Sequence, residues 1–82
     1  MKLTVLYFAA VRDLVGKDEE VLEVPASVTT IGALASHLAH VHAPLEGRLA
    51  YVRFARNEEF AQNDDALADG DTIALIPPVA GG

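Results

Sequence analysis

An α+β fold, with a mixed sheet carrying one main helix on one face, is what the order of apolar patterns predicts. Three observations lead there. The chain has 82 residues, which leaves room for one hydrophobic core and no second. The apolar runs LTVLYF at 3–8 and TIALI at 72–76 are strand-sized and largely apolar on both faces, the pattern of strands inside a sheet. Between them, 31–41 carries an apolar stripe with helical spacing.

Taken in order, residues 3–8 are β-branched and aromatic, with Thr4 the polar exception, and read as a central strand covered on at least one side. In AAVRDLVG, Ala9, Ala10, Arg12 and Leu14 favour a helix and Gly16 stops it, so a short helix of one or two turns is expected after the first strand. Residues 20–24 alternate acidic and apolar side chains up to Pro25, which suits a second strand antiparallel to the first. Thr29 and Thr30 precede Ile31, Leu34, Leu38 and Val41, whose spacing predicts a helix of about twelve residues, near the average length. Threonine is a competent N-cap, Ala33 at N3 leaves the capping box incomplete, and Pro44 cannot continue the helix. Residues 51–55 read as a third strand and Glu59-Phe60 as a short fourth. The turn-rich NDDALADGD, with Gly70 free to take a positive φ, leads into a last strand at 72–76. This order is that of a ubiquitin-like β-grasp, in which the first and last strands lie side by side and parallel. Residues 1–76 form that domain, and 77–82 are an extended tail.

Composition narrows the function. Six basic against twelve acidic residues give a formal charge of -6, which opposes polyanions and makes nucleic acid an unlikely partner. With no cysteine, disulfides, thiolate metal sites and cysteine nucleophiles are excluded. The N-terminal stretch lacks a long apolar region followed by a small-residue cleavage site, so no membrane partner is expected and the simplest location is cytoplasmic.

The tail, IPPVAGG, is the chemically informative stretch. Pro77 and Pro78 donate no backbone hydrogen bond and hold an extended exit from the last strand. Six residues at roughly 3.3 Å each reach about 20 Å, enough to enter a partner's active site. Val79 and Ala80 are small, and Gly81 and Gly82 have no Cβ, so a narrow tunnel can close around the backbone. A terminal carboxylate with a pKa of about 3.5 is ionised and inert at neutral pH and needs activation before it can carry a group. The chain has no phosphate-cradling glycine loop, so an ATP-using activator would be another protein.

On these residues the chain resembles the family of small, sulfur-carrier subunits of molybdopterin synthase. FAAVRDLVG at 8–16, Thr30-Ile31 with Leu34, Ala55-Arg56-Asn57 and above all LADGDTIALIPPVAGG at 67–82 carry the resemblance, which runs over nearly the whole chain. Ala80 stands where serine or threonine is also common in the family, and the loop at 42–47 is compact. The resemblance implies that an E1-like adenylating enzyme, using ATP and Mg, activates the Gly82 carboxylate, and that a sulfur donor protein converts it to a thiocarboxylate. The large subunit of molybdopterin synthase would then take up the tail and supply the catalytic groups while sulfur passes to a cyclic pyranopterin monophosphate. It also implies a heterotetramer, and no cofactor bound by this chain itself. Two further readings share the adenylation step: a carrier for thiamine thiazole synthesis, although such carriers are usually shorter and lack PPV before the glycines, and a ubiquitin-like modifier joined to lysines. A plain interaction module with an inert tail is the reading without covalent chemistry.

Other clusters read as structure. His37, His40 and His42 lie near a helix end without a cysteine, which suits a solvated terminus and the helix dipole better than a metal. Asp64, Asp65, Asp69 and Asp71 lack the ligand spacing of a calcium loop and read as a solvated turn. Arg12 beside Asp13, and the pair Arg53 and Arg56, either dock a partner or solvate a surface. Phe60 and Ile76 are candidates for a partner surface at the tail base, whereas Leu75 is expected in the core.

Overall fold

The computed structural model describes residues 1–78. Among them five strands, β1 (Lys2–Tyr7), β2 (Glu19–Glu23), β3 (Arg53–Arg56), β4 (Glu59–Ala61) and β5 (Thr72–Ile76), form one sheet in the order β2-β1-β5-β3-β4. β1 and β5 pair in parallel, and the other neighbours are antiparallel. The short helix α1 (Ala9–Val15) follows β1, and the longer α2 (Ile31–Val41) packs on one face. This is the expected β-grasp.

The core lies between α2 and that face of the sheet. Leu3, Val5 and Tyr7 of β1 and Ile73 and Leu75 of β5 point inward at period two, against Ile31, Leu34 and Leu38 of α2. Each such side chain contributes about 1.5–3 kcal/mol on burial. Both central strands are flanked by neighbours, but the helix covers only one of their faces. The alternate residues Thr4, Leu6, Thr72, Ala74 and Ile76 stay partly exposed on the other.

Local chemistry accounts for the helix boundaries. Thr30 Oγ1 accepts from the Ala33 N–H at 3.2 Å, and the backbone carbonyls of Asp65 and Asn63 take the N–H groups of Ile31 and Gly32 at 3.0 and 2.8 Å. A Cβ on Gly32 would stand 3.2 Å from the Asn63 carbonyl oxygen, so glycine is what permits this close approach. Gly16 closes α1 in the left-handed region, at φ 87°.

Three expectations are corrected. The apolar stripe of α2 ends at Leu38: Val41 is 44% exposed, because the helix stops there and Leu45, turned back by a 3₁₀ segment (Ala43–Leu45), closes that end of the core. Pro44 sits inside this segment instead of terminating α2, whose last residue precedes it by three. The third strand starts at Arg53 and not at residue 51. A second 3₁₀ segment (Leu49–Tyr51) is closed by the Val52 N–H on the Leu49 carbonyl, leaving Tyr51 81% exposed, and sheet pairing begins opposite Ile76.

Candidate functional site

The tail follows β5, the central strand of the sheet, whose last residue is Ile76. On the sheet's uncovered face one row runs across the strands: Glu19 of β2 opposite Leu6 of β1, Leu6 opposite Ala74 of β5, Ala74 opposite Ala55 of β3, and Ala55 opposite Phe60 of β4. Two alanines between larger side chains leave a dip. Leu6, Phe8, Ala55, Phe60, Ala74 and Ile76 are the apolar lining of this open depression of about 560 Å³. Phe60 is 59% and Phe8 46% exposed, an unusual amount of aromatic surface for a chain with three phenylalanines.

The strand that delivers the tail is anchored at its other end by a buried carboxylate. Asp71, 7% exposed, accepts from Asn57 Nδ2 at 2.9 Å, from the Ala68 N–H at 2.8 Å and from Arg56 Nη1 at 3.3 Å. Asn57 also accepts from the Thr72 N–H through Oδ1, at 2.9 Å. Asn57 and Glu58 take φ values of 50° and 73° in the tight turn joining β3 and β4; asparagine tolerates this region and glutamate does so less readily. Burial pushes the Asp71 carboxyl up, but the hydrogen bonds from Asn57 and Ala68 and the Arg56 guanidinium outweigh it and hold it below its ordinary value. Asp71 is thus a structural clamp and not the solvated turn residue expected. Asp65 and Asp69 fit the turn reading better, accepting from the N–H groups of Gln62 and Lys2.

A second polar group sits at the end of α2. The Tyr7 hydroxyl donates to Glu20 Oε2, His42 Nε2 meets the same oxygen, each at 2.5 Å, and Lys17 Nζ lies 3.4 Å from Oε1. Burial raises Glu20, but the hydrogen bonds from Tyr7 and His42 and the nearby positive charge prevail and its pKa is lowered. Burial, followed by the bond to Glu20, raises Tyr7 well above the usual phenol value. His42 is therefore a part-buried strut between α2 and the sheet, unlike the solvated end expected. No group of three or more ligand-type side chains gathers at a metal-binding spacing among the described residues. Nor is any helix there long and apolar enough to cross a membrane.

The ThiS family profile matches residues 5–82. The chain belongs to the ThiS family. Within it, the chain is 40% identical to the molybdopterin synthase sulfur carrier subunit of Escherichia coli (strain K12), covering 98% of this chain and 99% of that one. It is 38% identical to the protein of the same description from Chlamydomonas reinhardtii, with both chains covered in full. Its fold is similar to the crystal structure of SAMP1, a small archaeal modifier protein of Haloferax volcanii, at a TM-score of 0.87, 29% identity and complete coverage of both chains. The resemblance to sulfur-carrier subunits of molybdopterin synthase read from the sequence is borne out.

The expected site residues fall into three groups. Phe60 and Ile76 both line the depression; Pro77, next along the chain, is half-buried and Pro78 is exposed. Arg12 does not line it; this residue lies on α1, 4.0 Å from Asp13 and 3.8 Å from Asp18. Val79, Ala80, Gly81 and Gly82 lie outside the described residues. Sequence reasoning missed Phe8, whose signal was the second apolar face of residues 3–8, and Ala74 and Ala55, whose small size makes the dip. It also missed the clamp of Asp71 with Asn57, which joins residues fourteen apart and leaves no local periodicity.

Proposed function

We propose that this chain is the sulfur-carrier subunit of molybdopterin synthase and that its reactive atom is the carboxyl carbon of Gly82. The observation that carries the reading is the family match through residue 82, on a chain whose central strand runs out at Pro77 and Pro78 beside an open apolar depression. A carboxylate oxygen of Gly82 attacks the α-phosphorus of ATP, held with Mg by an E1-like enzyme, and pyrophosphate leaves. A sulfide equivalent from a sulfur donor protein then displaces AMP, so one oxygen is replaced by sulfur. In the large subunit the sulfur passes to a cyclic pyranopterin monophosphate, and water restores the carboxylate. This chain binds no cofactor; it offers a narrow tail that fits a tunnel, and a docking face made of Phe8, Phe60 and Ile76. The work is cytoplasmic, in a heterotetramer with the large subunit.

The test is the intact mass of the protein after co-expression with its activating enzyme and a sulfur source. The expected result is a gain equal to sulfur replacing oxygen, mapped to the Gly82 peptide. Removing Gly81 and Gly82 abolishes transfer while leaving thermal stability unchanged; molybdopterin synthesis by the truncated chain would sink the proposal. The likeness to SAMP1 supports a second reading, a modifier joined to lysines. Lysine conjugates in cells without any thiocarboxylate would select that reading. A thiazole-pathway carrier predicts the same mass gain but no sulfur transfer to the pterin.

A further inference from the structure

A cation, Arg53, is stacked on the aromatic lining of the outer face. Arg53 lies opposite Ile76 in the sheet register, at the point where the tail departs, and its guanidinium carbon stands 3.8 Å from the centroid of the Phe60 ring. Phe60 is opposite Ala55, two residues along β3, so the two side chains are diagonal neighbours on one face. Arg12, Lys17 and Arg56 each have a carboxylate within 4.0 Å; Lys2, Arg48 and Arg53 have none among the described residues, and of these three Arg53 is the one stacked on a residue that lines the depression. Glu58 in the lining, and Glu19 opposite Leu6 beyond it, place negative charge on the other sides of the depression.

We propose that Arg53 is a specificity residue that receives a carboxylate of the partner docked on this face. The inference rests on the docking reading above. A partner that covers Phe60 also removes water from the guanidinium stacked on it, and a cation left buried without an acceptor is strongly unfavourable. The ring holds the guanidinium in place, and no hydrogen bond within the described residues takes up its N–H groups, so a two-oxygen acceptor completes the site with little further ordering. A carboxylate supplies the opposite charge in that geometry. The matching surface is therefore an apolar wedge with an aspartate or glutamate facing the tail exit and basic side chains facing Glu58 and Glu19.

The test is titration of the large synthase subunit from the same organism against Arg53→Gln, Arg53→Glu and Phe60→Ala variants whose unfolding midpoints match the parent. Arg53→Gln is expected to weaken binding about tenfold and Arg53→Glu about a hundredfold. The sign is diagnostic. General attraction between this acidic chain and a basic partner would make Arg53→Glu, which adds negative charge, bind more tightly. Unchanged or tighter binding by both Arg53 variants, together with weaker binding by Phe60→Ala, overturns the role of Arg53 and keeps the docking face. No loss with Phe60→Ala overturns the docking face itself.

Discussion

The two faces of the sheet are made by the same strands, residue by alternating residue, yet they obey different rules. Leu75 and Ile73 point inward and are fully buried, while Ala74 and Ile76, their chain neighbours, point outward and stay accessible. On the inner face size is set by packing, as in any close-packed interior. On the outer face small residues sit where a core would place large ones, and the aromatic rings of Phe8 and Phe60 are left in water. A surface that gives up burial in this way is shaped for something outside the chain. Apolarity on both faces of a strand is thus evidence for two contacts, only one of which is made within the molecule.

The largest expected effect separates the faces directly. Leu75→Ala opens a cavity beneath α2 and should cost about 2–5 kcal/mol, whereas Phe60→Ala removes a ring that is mostly in water and should change stability by about 0.5 kcal/mol or less. Chemical denaturation of both variants checks the contrast. Similar losses at the two positions would mean that the outer face is part of the folding core and would break the comparison.

Next in size is the clamp that starts β5. Asp71→Asn keeps the shape but removes the charge that Arg56 and the Ala68 N–H address, and should cost about 1.5–3 kcal/mol at neutral pH. Because the folded-state pKa of Asp71 is lowered, its contribution is fully present above the unfolded value of about 3.9 and is lost as pH falls through the folded value. The gap between parent and variant should therefore be constant near neutrality and close in acid below about pH 4. Glu20, also lowered, weakens the parent in the same direction. A gap that widened in acid would assign the effect to some other group.

How much of this was legible before the structure follows from the range of each signal. The first and last strands, the Thr30 cap and the Gly16 stop are written in runs of a few residues, and the parallel pairing of those two strands is readable from the order of the elements. Val41 shows the limit: helical spacing told which side it faces but not that the core at that end would be filled by Leu45. Tyr51 was drawn into a strand by β-propensity, which is a weak guide where a backbone turn closes first. The apolar depression was half legible, since Phe60 and Ile76 stand out in the sequence as apolar residues near the tail. Phe8 was absorbed into a strand, and Arg53 was one of several arginines until the register set it opposite Ile76.

The smallest effect concerns the corner where β1 passes into α1. Ala9 follows the exposed Phe8, whose N–H reaches the Leu75 carbonyl at 3.3 Å, and takes φ 49°, in the left-handed region. That conformation costs an L-residue roughly 1–2 kcal/mol, while a glycine pays roughly 0.5–1 kcal/mol in chain entropy. Ala9→Gly should therefore stabilise the protein slightly, by about 0.5–1 kcal/mol, or a few degrees in a domain of this size. The same substitution inside α2, Ala39→Gly, should destabilise by about 1 kcal/mol, because there the alanine is already helical. Opposite signs for one chemical change would establish that the strain is local to the Phe8 corner. Equal losses would mean that Ala9 is held by its packing and that no strain is stored beside Phe8.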